Sequence, residues 1–574
     1  MPKTRTWVAC ALIWLVVCAW CVRLPDLRPE IAELDGVHPV RAAQALRDAY
    51  RPGHGFLDKY PPLGAFVMGL AGELVDPGLL GALPVAPEAL ADDPPRRREV
   101  LWPLRDRIAR RLDAQRLLSG LAMAAAVALV GVLAARATVR HGGGPRAARA
   151  AGLAAAAMFG AAYPVLVYGA TTNVDALALA AALAAVERLL AGRAVTAGVL
   201  LGAAVATKDP AYAIAPALLA AAWLPDPRPQ DAGHDPAGGH DHDHDVHDHL
   251  GGVGGLVVPE PETGARRRVL AVLLGAAASY LVFGGVLVNS STVVDHARYL
   301  LAGGVESVPT RIDHGDPVQW LRLVDYVRRL LAGVVVPAWA GTLVVLAGLF
   351  GLARMDRRAR ALLLGAAIGP VLVFVLPVGF VYPRFLLPSW AMVAVGAGVL
   401  VSWAAQLARA RGRPRLALAA LALPVLVVAG EARTWPSLHG PDARGVATAR
   451  LERLPAGTRV GVLSGTRGHG PVPDPARIPL EVHGLARVDA VMERWRVAAP
   501  AARPDVVLVL SFPYEPPDGR RVAPPAPPRA GEAVAGGLYR VAAVLGGGAL
   551  EEPARVPERT LAWRPRISWL EAVR

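Results

Sequence analysis

"AGVLLGAAVATKDPAYAIAPALL", residues 197–219, is a polar turn set between two apolar stretches. The stretches 195–207 and 211–224 are rich in Ala, Leu and Val and meet at "TKDP". A hydrocarbon core about 30 Å thick needs roughly 20 apolar residues of helix, so these are short runs for a membrane crossing. An ionisable residue at the end of a span is costly unless paired or solvated, which makes Lys208 and Asp209 functional candidates. The chain has only three lysines (Lys3, Lys59, Lys208) against 58 arginines, so a lysine here carries information.

Working outward, 54% of the 574 residues are hydrophobic and mean hydropathy is positive. Apolar runs recur from residue 7 to residue 430, many of them close to span length, and indicate an all-α polytopic membrane protein. All three cysteines, Cys10, Cys18 and Cys21, lie in the first run, which excludes a disulfide framework. That run follows Lys3 and Arg5 and is followed by no small-residue cleavage pattern, so it reads as a retained signal anchor with a cytoplasmic N-terminus. The formal charge of +14 comes from arginine clusters between apolar runs, where the positive-inside rule places them, and not from a nucleic-acid surface.

Following those clusters gives about eleven spans. The runs are 7–22, 117–135, 150–170, 176–190, 195–207, 211–224, 269–289, 331–352, 361–380, 386–408 and 416–430. Residues 25–115 then form a first outer loop, 225–268 a cytoplasmic loop and 431–574 an outer C-terminal region. Inside the first loop, 61–75 is apolar but short and suits an interfacial or re-entrant helix, although 96–116 carries eight arginines. The loop 225–268 contains "GHDPAGGHDHDHDVHDHLGG", a low-complexity stretch expected to be disordered. Residues 431–574 read as a small α/β domain. "PDARGVATARLERL" is an amphipathic helix there, and "TRVGVLS", "RPDVVLVLS" and "GLYRVAAVL" are strands.

Span parity gathers acids and bases on the outer face. Glu33 and Asp35 lie in the first outer loop with Asp26 and Glu30, which read as solvated charges. "HGFLDKYPPL" brings His54, Asp58 and Lys59, "YGATTNVDAL" Asp175, "VVDHARYL" Asp295, His296 and Arg298, and "VYPRFLLP" Tyr382 and Arg384. Taken singly, each is explained by a salt bridge or by snorkelling. Together they suit a phosphate-bearing substrate, with Lys and Arg holding the anion.

The ordered motifs resemble the GT-C fold of membrane glycosyltransferases, in particular the protein O-mannosyltransferase and aminoarabinose-transferase-like group (family 39-like). In that group an outer loop opens with Asp-Glu and an alanine follows. Asp35, Gly36 and Ala42 hold those positions here, so Gly36 stands where the group has its second acid. "KYPPLG" is similar to the group's Tyr-Pro-Pro-Leu element and Asp175 to its span-end Asp. The segment 197–219 is similar to its "GLLLGLAxLTK" hairpin, and "YPRFLLP" to its Arg-Tyr-x-Leu-Pro element. The resemblance covers roughly residues 1–430, and 441–464 further resembles the outer C-terminal domain of many members.

The resemblance implies a multi-pass plasma-membrane enzyme that moves a sugar from a polyprenyl-phosphate donor to a hydroxyl of a lipid, glycan or protein acceptor, with inversion. It implies Asp35 as general base, with Glu33 as second choice, and Asp175 in support. Lys59, Lys208, Arg298 and Arg384, with Tyr382, become donor-phosphate ligands. A divalent metal ion is admitted, with Asp58 and His296 as its ligands. Two rival classes remain: a metal-ion transporter, suggested by six histidines between 234 and 249, and a flippase or non-catalytic membrane protein.

Overall fold

A computed structural model of the chain describes residues 4–21, 39–51, 61–83, 100–225, 262–290, 294, 312, 314–333, 338–433, 443–464, 473–484, 491, 503–511, 533–534, 539–545 and 566–572. Among the described residues the apolar runs expected to span are largely helical. In chain order the first helices are α1 (Thr4–Cys21), α2 (Pro39–Asp48), α3 (Pro62–Val75), α4 (Arg105–Arg140), α5 (Pro145–Ala161), α6 (Tyr163–Gly169), α7 (Asp175–Leu190), α8 (Ala194–Thr207) and α9 (Ala215–Trp223). Then come α10 (Glu262–Phe283), α11 (Pro317–Gly333), α12 (Ala338–Ala353), α13 (Arg357–Gly369), α14 (Leu387–Ala410), α15 (Pro414–Ala420), α16 (Ala422–Ala432) and α17 (Ala443–Leu451).

This is a multi-pass membrane architecture. Among the described residues four helical stretches are long and apolar enough to cross: Trp102–Arg140, Arg357–Val378, Pro383–Ala410 and Pro414–Ala432. The pair α5 and α6 adds a fifth if its 70° bend lies within one span. The bend falls at Ala162, before Pro164, whose ring cannot continue a helix from the preceding turn.

Helices come close where side chains are small. A methyl group placed on Gly202 of α8 would lie 2.3 Å from the carbonyl oxygen of Ala276 on α10, so only glycine permits this approach. Arg268 ties α10 to α9 as well. Its guanidinium donates to the carbonyls of Ala222 (2.9 Å) and Leu224 (3.1 Å), which would otherwise be unsatisfied at the end of α9. Thus Arg266–Arg268, expected in the 225–268 loop, sit in α10, which begins at Glu262. The His-rich tract itself lies outside the described residues.

A second correction concerns 331–352. The apolar helix there is α12, of 16 residues, and α11 is a separate amphipathic helix that buries Leu323, Tyr326, Val327 and Leu330. Its start follows from local chemistry: Asp316 accepts the Val318 N–H at 2.8 Å, and Pro317 needs no donor partner in the first turn.

The segment 61–75 is one short helix, α3, held by α4. Arg111, Gln115 and Ser119, four residues apart, share one face of α4 and are all buried. Arg111 pairs with Glu73 and donates to the Asp76 carbonyl (2.8 Å), Gln115 donates to the Met68 carbonyl (3.2 Å), and Ser119 meets the Asn173 carbonyl (3.4 Å). Asp76 also binds Arg107 (2.7 Å) and Arg110 (2.5 Å). Three arginines of the stretch 96–116, Arg107, Arg110 and Arg111, are thus paired with acids at the end of α3.

After residue 459 the chain forms one six-stranded sheet, ordered β2-β1-β3-β6-β5-β4. The strands are β1 (Val460–Ser464), β2 (Leu480–Gly484), β3 (Val506–Ser511), β4 (Ala533–Val534), β5 (Tyr539–Leu545) and β6 (Arg566–Ala572). β1 pairs parallel with β2 and β3, and the other pairings are antiparallel. Val460, Val462, Val506, Leu508 and Leu510 pack with Ala447 and Leu451 of α17.

Candidate functional site

Helix α8 stops at Thr207 because Pro210 cannot supply the next N–H, and Lys208 turns extended (φ −160°, ψ 123°). A 3-10 segment, Asp209–Ile214, leads on to α9. Asp175 stands in the first turn of α7, where a helix N-terminus favours negative charge. Its backbone N–H donates to Asn173 Oδ1 at 3.1 Å, which fixes the turn. Lys208 Nζ lies 2.5 Å from Asp175 Oδ1. Both residues are buried, with 2% of Lys208 and 8% of Asp175 exposed.

Arg384 reaches the same carboxylate from the other side. The stretch Arg357–Val378 relaxes to a π-helical turn at Pro370–Val375 and ends at Gly379, whose φ of +79° suits glycine. Tyr382 is then extended, and Pro383–Leu386 forms a 3-10 turn leading into α14. Arg384 Nε comes to 3.7 Å from Asp175 Oδ2, an oxygen that accepts no hydrogen bond among the described residues. The guanidinium lies 4.8 Å from the Tyr382 ring and 5.5 Å from the Phe385 ring, and Lys208 Nζ lies 5.9 Å from Phe385. Phe385 in turn meets Phe374, Phe380 and Tyr382 edge-on at 5.0–5.8 Å. This aromatic cluster holds the "YPRF" turn in place.

Asp175, Lys208 and Arg384 line a narrow cleft, open at its mouth. Ala178, Leu179 and Ala182 continue from Asp175 along one face of α7 and, with Ile214 and Leu387, form an apolar wall below the charges. Backbone that is not α-helical borders the cleft at 209–214 and 383–386, where membrane proteins tolerate irregular backbone because it lines a cavity. The arrangement can hold an anionic head between two cations and an apolar chain beneath it.

The start of α3 abuts this place. A methyl group on Gly64 would meet Val174 Cγ1 at 2.8 Å and the Thr207 carbonyl oxygen at 3.0 Å. Ala42, Ala45 and Ala49 of α2 pack with Ala65, Met68 and Val174. Thus the sequence motifs around Ala42, Gly64, Asp175, Lys208 and Arg384 converge.

Of the residues singled out in the sequence, Asp175, Lys208, Tyr382 and Arg384 are brought together. Glu33, Asp35, Asp58, Lys59, Asp295, His296 and Arg298 lie outside the described residues. Among the described residues no group of three or more His, Cys, Asp and Glu side chains is placed to hold a metal ion. Tyr168 and Phe385 went unselected. Tyr168 interacts electrostatically with Asp175, Arg384 and Tyr382, and its position seven residues before Asp175 was the only sequence signal.

No protein-family model matches the chain. No curated protein matches it either. Two crystal structures of ArnT (aminoarabinose transferase) from Cupriavidus metallidurans are similar to it. The apo structure is 15% identical, with 88% of this chain and 92% of that chain covered and a TM-score of 0.46. The structure bound to undecaprenyl phosphate is 16% identical, with 98% and 97% covered and a TM-score of 0.39. Both are structures of the group that the ordered motifs resemble.

Proposed function

We propose that the chain is a membrane glycosyltransferase that moves a sugar from a polyprenyl-phosphate donor to an acceptor hydroxyl at the outer membrane–water boundary. The observation that carries this reading is the convergence of Lys208 and Arg384, from separate motifs, on one buried carboxylate above an apolar wall. A lipid-linked phosphate needs both parts at once: cations for the head and an apolar channel for the first units of its tail.

In this reading Lys208 and Arg384 hold the donor phosphate, joined by Lys59 and Arg298 from the outer loops and flanked by Tyr382. Asp35 takes the proton of the acceptor hydroxyl, with Glu33 as the second candidate. The hydroxyl oxygen forms a bond to the anomeric carbon as the bond from that carbon to the phosphate oxygen breaks. The configuration inverts, and polyprenyl phosphate leaves. A positioned base contributes through proton transfer, and the shared cleft through proximity. The described residues supply no metal cluster, so no step is assigned to a metal ion, and Asp58 and His296 remain its proposed ligands. The proposed setting is the plasma membrane, with about eleven spans, a cytoplasmic N-terminus and residues 431–574 outside.

The test is binding of polyprenyl phosphate to the full chain in detergent, read by native mass spectrometry. Wild type is expected to retain the lipid, and Lys208→Met and Arg384→Ala to lose it. Equal retention by all three proteins would overturn the assignment of these cations.

A further inference from the structure

We propose that Asp175 tunes the charge selectivity of this cleft, lowering the advantage that its cations give a doubly charged phosphomonoester over a singly charged phosphodiester. The inference rests on the donor reading above and adds a selectivity to it. Asp175 engages both cations: Oδ1 meets Lys208 at 2.5 Å, and Oδ2 faces Arg384 at 3.7 Å without accepting a hydrogen bond among the described residues. A buried carboxylate oxygen without a hydrogen-bond donor among the described residues is an uncommon arrangement, because only the neighbouring charges offset its desolvation.

The described charged and titratable groups at the cleft are Asp175, Lys208, Arg384, Tyr382 and Tyr168. Asp209, next along the chain from Lys208, lies by Tyr212 and Tyr280. One carboxylate therefore offsets part of the field of two cations in a site where charge is weakly screened. An incoming phosphate shares those cations with Asp175 and feels its repulsion, and the repulsion grows with the anion's own charge. Further cations from the outer loops would draw the doubly charged anion more strongly, so the effect of Asp175 is read as a difference between wild type and a variant without its charge.

The reaction itself changes that charge. The donor is a phosphodiester carrying one negative charge. When the bond from the anomeric carbon to the phosphate oxygen breaks, its electron pair stays on that oxygen, and the lipid product becomes a phosphomonoester of charge near two at neutral pH. Asp175 then opposes the product more than the donor, which aids product release and limits product inhibition.

The test uses the full chain in nanodiscs and two probes, farnesyl phosphate and farnesyl methyl phosphate. They share one lipid chain and differ by one charge above the second phosphate ionisation, near pH 6. The ratio of their dissociation constants, monoester over diester, removes any effect of pH that acts equally on both probes. On going from about pH 5 to about pH 8 the ratio is expected to fall about tenfold further in Asp175→Asn than in wild type, because only wild type sets a carboxylate against the second charge. Asp175→Glu, which keeps the charge, is expected to follow wild type. The same pH dependence of the ratio in wild type and Asp175→Asn overturns the proposal, and so does a change in Asp175→Glu as large as that in Asp175→Asn. Failure of wild type to bind either probe overturns the lipid-phosphate reading and this inference with it.

Discussion

Lys208 and Asp175 form a buried ion pair, Nζ to Oδ1 2.5 Å, between the end of one short helix and the first turn of another. Two charges withdrawn from water are stable only as a pair, since removing one leaves the other uncompensated. Lys208→Met and Asp175→Asn are each predicted to destabilise the protein, by about 3–5 kcal/mol for the substitution that strands a charge. The double variant should lose less than the sum of the two singles. Unfolding in mixed detergent for all four proteins measures this coupling, and strict additivity would show that the pair contributes nothing.

Arg384 lies closer to aromatic rings than Lys208 does, with its guanidinium 4.8 Å from Tyr382 and 5.5 Å from Phe385 against 5.9 Å from Lys208 Nζ to Phe385. Arg384→Ala is predicted to weaken polyprenyl-phosphate binding about tenfold or more. Arg384→Lys should recover little of the loss, because a point charge reproduces neither the planar stack nor a two-pronged grip on phosphate. Full recovery by lysine in a binding titration would reduce Arg384 to a simple counter-charge.

Asp76 is predicted to make the α3–α4 junction acid-sensitive. The hydrogen bond from Arg107, aided by Arg110, holds its carboxyl below the usual carboxylate range. A depressed folded-state value means that the stabilisation is present above the unfolded carboxylate value, about 4, and is lost as pH falls through the folded value. The wild-type melting temperature should therefore decline below about pH 4. Asp76→Asn should melt lower at neutral pH and change less across that acid range. Parallel curves for the two proteins would contradict this account of the junction.

Much of the helical frame was legible because spans are written as apolar runs and their ends as arginine clusters. Lys208 and Arg384 were legible for a related reason: each is a cation beside a proline that ends or starts a helix. Their meeting at Asp175 was not, since it depends on how three hairpins pack, and the local sequence around each does not encode that. Helix α11 was missed because Arg322, Asp325, Arg328 and Arg329 on its polar face interrupt any apolar run, although Asp316 and Pro317 marked its start. The acid–arginine junction was missed because Glu73 and Asp76 lie 31–38 residues from their partners. Strand β6, an isolated run beyond a Pro- and Gly-rich stretch, joins the sheet between β3 and β5 through pairing with no short-range signal.

Asp35 is predicted to be the base of the transfer step. Asp35→Asn should bind polyprenyl phosphate as wild type does but transfer sugar about 10²–10⁴-fold more slowly, the usual worth of a positioned base. Glu33→Gln should be milder. Single-turnover transfer assays beside lipid-binding measurements separate the two effects. A near-native transfer rate in Asp35→Asn would pass the role to Glu33 or Asp175.

The most direct measurement is the profile of lipid-linked sugars in cells lacking this chain, compared with cells that regain wild type or Lys208→Met. The account predicts that one polyprenyl-phosphate sugar accumulates on deletion, falls when wild type is restored, and stays high with Lys208→Met expressed at the same level. An unchanged lipid-linked sugar profile on deletion would contradict it.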